Sequence, residues 1–254
     1  MEKVGKCFLG LCADIGAFII FCFSVLSSGI KNSFNLRSFL EQLNNMFLKT
    51  LPLIAMTSIF TGAVLVLQSY TGFSRMNAES AIASVVAISV LRELGPVISG
   101  LMFAGRTGAS IASEIGIMRV TEQIDALEML GIKTKSYLLF PRIISGIISL
   151  TLLVVFADIL GIFGGYIIAT RTLDFDSSLY ITRTLNFIES YDFFSGIIKA
   201  AFFGFAISVI GCYSGYCAKK GAYGVGSATT NGVVMSSIGL LILNYVITSI
   251  MFSK

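Results

Sequence analysis

Long apolar runs separated by short charged stretches dominate the pattern of residues along this chain. Runs near or above the ~18 residues needed to cross a ~30 Å hydrocarbon core recur along its whole length. They predict five membrane-spanning helices, at Thr50–Tyr70, Ala78–Gly105, Leu138–Ala169, Phe193–Tyr216 and Val233–Phe252. The pattern therefore predicts an all-α integral membrane protein.

A further apolar run, from Cys7 to Ser28, follows Lys3 and Lys6. Its basic start is typical of a signal peptide, but it is longer than a usual h-region and no clear A-x-A site follows, so we expect it in the mature protein. It either spans the membrane or lies in the interface. Asp14 within it, and the short amphipathic stretch Phe34–Phe47, favour an interfacial or re-entrant helix. We expect an N-terminal interfacial region over 1–47 and a five-helix membrane domain over 48–254.

Composition supports one helical membrane domain. Of 254 residues, 55% are hydrophobic and 13% are charged, so the bilayer is the solvent that explains the sequence. Three prolines, the absence of a Ser/Pro-rich linker and the absence of a detectable repeat argue against a second domain.

The basic residues predict the orientation. If the first span runs outward, most of them collect on one side, which the positive-inside rule makes cytoplasmic: Lys3, Lys6, Lys31, Arg37, Lys49, Arg106, Arg119, Lys133, Lys135, Arg142, Lys219 and Lys220. The opposite side holds Arg75, Arg171, Arg183 and Lys254, beside an acidic connection with Asp174, Asp176, Glu189 and Asp192. The amino terminus is then cytoplasmic and the carboxyl terminus lies outside. The net charge of +4 fits this bias better than nucleic-acid binding.

Residues for metal binding or catalysis are missing from the sequence. It has no histidine, no C-x-x-C and no phosphate-binding G-K-[ST] loop, so we expect no metal, no bound cofactor and no catalytic site in this chain. We interpret the cysteines as small apolar packing residues; they are Cys7, Cys12, Cys22, Cys212 and Cys217.

The second span is too long to be ordinary. From Ala78 to Val120 the only good break is Gly95-Pro96, and an unbroken helix of that length would extend roughly 60 Å, twice the hydrocarbon thickness. A kink at Pro96 is expected, because proline cannot donate a hydrogen bond to the preceding turn. The flanking apolar runs place Arg92 and Glu93 near mid-bilayer.

Two adjacent ionisable residues inside a span are costly and normally face a bundle interior or a wet cavity. Arg92 and Glu93 point about 100° apart, so they do not simply neutralise each other. They either pair separately with polar groups on other helices, as structural contacts, or line a cavity where the cation meets an anionic head group. Lys199 and Asn244 are further polar candidates, although Lys199 lies close enough to the outer end to snorkel, and Asp158 is equally ambiguous.

The connection Glu114–Arg142 contains a short amphipathic helix. Its apolar positions, Val120, Ile124, Leu127 and Met129 or Leu130, oppose Arg119, Glu122, Asp125 and Glu128, and Gly131 suits its C-cap. It either lies on the lipid head groups or docks onto a protein partner. Docking is favoured, because an anionic leaflet repels its net acidic charge.

Two glycine patterns have simple structural interpretations. The glycine-rich stretch Gly221–Thr230 is not a nucleotide-binding loop, because no strand precedes it and it lacks G-K-[ST]. It predicts a flexible cytoplasmic loop in which Ser227, Thr229 or Thr230 caps the last helix. The pairs Gly161/Gly165 and Gly211/Gly215 indicate close helix packing.

Several ordered stretches together resemble the MlaE/YrbE family of ABC permeases over nearly the full length. They are Leu65–Tyr70 (LVLQSY), Leu91–Pro96 (LRELGP), Ala104–Ala109 (AGRTGA), Ser113–Asp125 (SEIGIMRVTEQID) and Gly224–Thr230 (GVGSATT). The segment Asp125-Ala126-Leu127 followed by Gly131 also resembles the E-A-A-x-x-x-G loop by which bacterial ABC importer permeases engage their ATPase.

This resemblance implies a homodimer in the bacterial inner membrane that moves phospholipid and helps to maintain outer-membrane lipid asymmetry. Its implied partners are a cytoplasmic ATPase that uses the ATP, a periplasmic ring of MCE-domain proteins and, in some systems, a STAS-domain regulator. It also implies that Arg92, Glu93, Tyr70, Lys199 and Asn244 border the lipid cavity, with Asn244 standing where relatives often carry aspartate. It assigns coupling to the ATPase to Glu114, Arg119, Glu122, Asp125, Glu128 and Gly131.

Other functions stay open from the residues alone. A secondary carrier predicts ion-coupled flux without an ATPase, although no coupling-ion site or repeated halves are evident. A membrane enzyme predicts turnover that is lost with Glu93, and a lipid-binding scaffold predicts binding without transport.

Overall fold

The computed structural model describes residues 2–31, 36–76, 78 and 81–252, and the regular structure in this part of the chain is helical. Within these residues there are ten α-helices, which are connected by short turns, the 3₁₀ segment Ser74–Met76 and three π-helical segments. The α-helices are α1 (Glu2–Lys31), α2 (Leu36–Phe73), α3 (Ile82–Ser89), α4 (Gly95–Phe103), α5 (Ala109–Val120), α6 (Gln123–Met129), α7 (Phe140–Arg171), α8 (Ser177–Phe187), α9 (Ser190–Tyr216) and α10 (Ala222–Phe252). The π segments are Val90–Leu94, Ala104–Gly108 and Lys135–Leu139.

The prediction of five spans is confirmed. Within the described residues, five helical stretches are long and apolar enough to cross a membrane: Leu36–Phe73, Ile82–Val120, Lys135–Arg171, Ser190–Tyr216 and Ala222–Phe252. All but the second begin earlier than the apolar runs predict, because helical hydrogen bonding continues into polar residues outside the hydrocarbon. The protein is therefore a multi-pass membrane protein.

The amino-terminal run forms one separate helix. Its apolar part, Gly16–Gly29, is shorter than the five spans. Helix α2 then runs without a break across residues 47 and 48, where the sequence suggested a change from interface to span. A helix of 38 residues is about 57 Å long, so it extends beyond the hydrocarbon core at one or both ends. The side chains of Lys3, Lys6, Cys7, Cys12, Asp14 and Lys31 lie outside the described residues.

The long second span changes helix type at Pro96, where the sequence predicts a kink. In the π segment Val90–Leu94, the N–H of Gly95 bonds to the carbonyl of Val90, five residues back. The π segment Lys135–Leu139 repeats this arrangement immediately before Pro141. A wider turn moves the carbonyl four residues back away from the proline ring, which explains why both segments end two residues before a proline.

The predicted loop at Gly221–Thr230 is wrong. The turn between α9 and α10 ends at Gly221, which has a positive φ of 89°, and residues from Ala222 onward are helical. Thr229 and Thr230 donate to the carbonyls of Val225 and Gly226 within the helix and do not cap it. The small residues of this stretch allow close packing and not a flexible loop, because Gly224 packs against the backbone of Lys219.

Small residues bring helix backbones into contact, as the glycine spacings predict. A Cβ atom on Gly62 of α2 would overlap the carbonyl oxygen of Gly161 in α7. A Cβ on Gly215 of α9 would lie 2.6 Å from the carbonyl oxygen of Ala112 in α5. Without a hydrophobic driving force between helices in lipid, this close packing is a principal source of association.

The cysteines only partly follow the packing interpretation. Cys212 is buried and Cys22 is half-buried, whereas Cys217 is exposed at the end of α9. Its position in the turn after the span accounts for the difference.

The contact between α2 and α7 predicts a specific instability. Gly62→Ala pushes the two backbones apart and should cost about 1–3 kcal/mol, lowering the unfolding midpoint by several degrees. Gly72→Ala is the matched control in the same helix, because nothing lies within 4 Å of its Cβ position. Thermal unfolding of the detergent-solubilised chain measures both, and equal midpoints would contradict the assigned packing.

Candidate functional site

Glu93 is the centre of a polar cluster inside the helix bundle. Lys199 Nζ of α9 donates to Glu93 Oε1 at 2.7 Å. From α10, Thr248 donates to the same oxygen at 3.2 Å and Asn244 Nδ2 donates to Oε2 at 3.0 Å. One carboxylate on the π segment thus connects two neighbouring spans.

Arg92 pairs with a different carboxylate. Its Nε donates to Asp192 Oδ1 at 2.5 Å, and its Cζ lies 4.5 Å from the centre of the Phe252 ring. Asp192 is held by the start of α9, where it forms a capping box with Glu189. The two charges therefore pair separately on other helices, as the structural alternative predicted.

Lys199 differs from the snorkelling interpretation. It is fully buried, and besides Glu93 it donates to the backbone carbonyl of Arg92 at 2.8 Å. That carbonyl has lost its usual donor, because the residue four positions later is Pro96 and has no N–H. The ammonium group replaces the missing helical hydrogen bond, so the side chain points inward.

The cluster is neutral and partly open. Arg92 and Lys199 balance Asp192 and Glu93, which reduces the cost of holding charges away from water. The side chains of Arg92 and Glu93 are still 33% and 38% exposed. The site therefore combines a fixed interior with a partly exposed arginine side chain, whose remaining donors suit contact with an anionic group.

Sequence reasoning identified Arg92, Glu93, Lys199 and Asn244 but missed Asp192 and Thr248. Asp192 was counted as part of an acidic connection, although its position three residues after Glu189 is a helix-start signal. Thr248 gave no signal, since a threonine in an apolar helix normally bonds to its own backbone.

Tyr70 lies apart from the cluster. It is half-buried near the end of α2, and its ring contacts Phe175 edge-on with 5.9 Å between centroids. The described contacts connect it to the α7–α8 turn and not to Arg92 or Glu93. Its predicted place at a cavity rim stays a prediction.

Asp158 is buried on α7 against the π segment. Its carboxylate occupies the space that a Cβ on Gly95 would fill, and Oδ1 has no hydrogen-bond partner among the described residues. Glycine at position 95 is therefore required for this close approach.

The predicted amphipathic helix between the second and third spans is α6. Glu122 adopts a left-handed conformation (φ 61°) that breaks the chain away from α5. Gly131 (φ 77°) ends α6 as predicted, with Gly131 N–H bonded to Glu128 O and Ile132 N–H to Leu127 O, a Schellman motif. The left-handed residue Glu122 and the Schellman motif at Gly131 therefore define the two ends of α6.

Ion pairs hold the base of α6. Arg119 contacts Asp125 at 2.5 Å and stacks on Tyr216, 5.2 Å from its ring centre. Glu114 pairs with Arg142 at 3.3 Å. Glu128, in turn, accepts from Thr134 at 2.7 Å. Several of the residues predicted to couple to the ATPase therefore form contacts within the chain that position α6.

The apolar face of α6 was assigned only partly correctly. Ile124 is fully buried, but Met129 and Leu130 are 90% and 76% exposed. They lie beyond the core because the helix ends there and turns at Gly131. Two large apolar side chains thus project beside an acidic helix.

A comparison of this chain with protein families decides its membership. Residues 39–250 match the family model described as "Permease MlaE", and this region includes the charged cluster, α6 and all but the ends of the five spans. The chain belongs to the MlaE permease family.

Relatives of this MlaE-family chain come from several sources. A Rickettsia felis protein named "Probable ABC transporter permease protein" is 52% identical over 251 residues, which cover 99% of this chain and 97% of that protein. The Haemophilus influenzae "Intermembrane phospholipid transport system permease protein MlaE" is 36% identical, covering 84% and 82%. The Arabidopsis thaliana chloroplastic protein "TRIGALACTOSYLDIACYLGLYCEROL 1" is 33% identical, covering 88% and 64%.

The cluster predicts a stability coupling in this MlaE permease. Lys199→Met leaves Glu93 without its cation and should destabilise the fold by about 3–5 kcal/mol. Adding Glu93→Gln removes the uncompensated charge, so the double variant should regain part of that loss. Lys49→Met, at an exposed lysine, is the control.

Thermal unfolding in detergent of the native chain, Lys199→Met, Glu93→Gln and the double variant gives the coupling energy, and Lys49→Met is measured beside them. Additive effects of Lys199→Met and Glu93→Gln would contradict the direct contact between them.

Proposed function

We propose that this protein is the membrane-spanning permease subunit of an ABC transporter that moves phospholipids. The observation that carries the proposal is the partly exposed cluster of Arg92 and Glu93 in a membrane-spanning bundle. Arg92 contacts Asp192 in the first turn of α9 and Phe252 in the last turn of α10, at the end of these spans, where phosphate head groups are within reach. The family membership and the name of the Haemophilus relative support the substrate class.

A separate ATP-binding subunit is the proposed source of energy. Met129 and Leu130 project from the carboxyl end of α6, a helix that also carries Asp125 and Glu128. Exposed apolar residues rimmed by charges are typical of a protein-docking surface. The chain itself supplies lipid contacts and a lever, and the partner supplies ATP hydrolysis.

The span that carries the cluster also leads to α6. Helical structure continues from Ile82 through the π segments to Val120, so Arg92 and Arg119 are separated by about 40 Å of connected helix. A push on α6 by the ATPase is transmitted along α5 and α4. Narrowing around Arg92 and Glu93 then expels the bound lipid.

The proposed assembly follows the family resemblance. Two copies of the chain enclose the lipid in the bacterial inner membrane, with the amino terminus cytoplasmic and the carboxyl terminus periplasmic. A periplasmic MCE-domain ring receives or delivers lipid and so contributes to outer-membrane asymmetry. A STAS-domain regulator binds the cytoplasmic side in systems that possess one.

Lipid capture tests the role of Arg92. Arg92→Ala should reduce photocrosslinking of a phospholipid probe about tenfold, because a charge-assisted contact with phosphate is lost. Arg106→Ala, at an exposed arginine of the same span, should crosslink like the native protein. Undiminished crosslinking in Arg92→Ala would show that Arg92 holds the helices together and does not contact lipid.

Docking of the ATPase tests α6. Met129→Asp with Leu130→Asp should abolish copurification of the ATPase and ATP-driven lipid transfer, since carboxylates cannot enter an apolar groove. Met129→Leu should retain both, and each variant should unfold at the native midpoint because these side chains are exposed.

The same reconstituted system separates the rival functions. Lipid transfer that persists without the ATPase and follows an ion gradient would support a carrier and contradict the ABC proposal. Intact ATPase binding after replacement of Glu122, Asp125, Met129 and Leu130 would remove α6 as the docking element.

A further inference from the structure

A cavity of about 280 Å³ lies between the α7–α8 turn, helix α8 and Ala83 of α3. It is separate from the Arg92–Glu93 cluster. Its charged lining residues are Asp174, Asp176 and Arg183. Phe175, Leu179 and Tyr180 form an apolar part of the wall.

Helix α8 places this cavity at the surface of the membrane. The helix is short and amphipathic, and it connects two spans. Two of its exposed apolar side chains, Ile181 and Leu185, are four residues apart and therefore share one face. A helix of this kind lies in the plane of the interface with its apolar face among the acyl chains. The cavity therefore lies at the depth of the lipid head groups.

The charged wall holds both signs in fixed positions. Asp176 accepts hydrogen bonds from Ser178 Oγ and Leu179 N–H, which lower the pKa of its carboxyl and keep it ionised. Asp174 is held in the left-handed region with φ 53°. Arg183 already has a partner within the chain, but a guanidinium carries five donors and can serve a second acceptor.

We propose that this cavity binds the head group of a zwitterionic phospholipid. Its ammonium group lies at Asp174 and Asp176, its phosphate meets Arg183, and its glycerol end rests on Leu179 and Phe175. Two carboxylates against one guanidinium disfavour an anionic head group that lacks the ammonium. The apolar wall, in turn, requires an amphiphile and not a free ion.

This site deepens the proposed function, because it adds head-group selection at the membrane surface to lipid contact inside the bundle. Phe175 lines the cavity and also contacts Tyr70 of α2, the residue that the sequence places at the rim of the lipid cavity.

The test uses the full-length chain in nanodiscs with equal amounts of phosphatidylethanolamine and phosphatidylglycerol. A photoreactive p-benzoylphenylalanine replaces Leu179, and mass spectrometry identifies the crosslinked lipid. We expect about a fivefold excess of phosphatidylethanolamine at this position. The same probe at Leu185, which is exposed on α8 outside the cavity, should show no preference.

Substitutions then assign the selectivity to the charges. Asp174→Asn and Asp176→Asn should each reduce the excess severalfold, and asparagine keeps both the left-handed backbone and the helix cap. Arg183→Gln should reduce crosslinking of both lipids. Glu41→Gln and Arg171→Gln are controls at exposed charges outside the cavity and should change nothing.

Two results would overturn the site. One is equal crosslinking of both lipids at position 179, and the other is the same excess at positions 179 and 185, which indicates annular enrichment only. Failure of the transport proposal is measured separately, by ATP-driven transfer and by Arg92→Ala crosslinking.

Discussion

A polar group that enters hydrocarbon must find a partner, and the site of this protein is built around that constraint. Pro96 removes the N–H that would satisfy the Arg92 carbonyl, and the preceding turn widens into a π segment. Lys199 crosses from α9 to donate to that carbonyl. One missing hydrogen-bond donor thereby explains a buried ammonium group in the middle of a membrane protein.

The buried ammonium in turn requires a carboxylate. Glu93 provides it and receives further donors from Asn244 and Thr248, so α9 and α10 are tied to the π segment. Arg92 forms its ion pair with Asp192 at the start of α9, on the exposed side of the cluster. The π segment, the two ion pairs and the packing of α9 and α10 therefore depend on one another, so a substitution in any of them disturbs the others.

Rigid connections relate this arrangement to the two ends of the bundle. At one end the same span continues into α6, whose orientation is set by the left-handed Glu122 and the Schellman turn at Gly131. At the other end α8 lies between two spans and carries a charged cavity on an amphipathic support. The charged cluster is therefore connected through continuous helix to α6 and, through α9, to α8.

The membrane environment, the number of spans, helix α6 and the placement of Arg92 and Glu93 within a span can all be predicted from the order of the residues. These features depend on local composition and on the spacing of hydrophobic residues. Local composition is enough to predict a span, because each span must be apolar over the fixed thickness of the hydrocarbon core. The folded chain is needed to show that Lys199 points inward, that Asp192 and Thr248 complete the cluster, and that Gly224–Thr230 continues a helix. Those outcomes depend on which groups on distant segments lack a partner, and that information is absent from any single stretch of the chain.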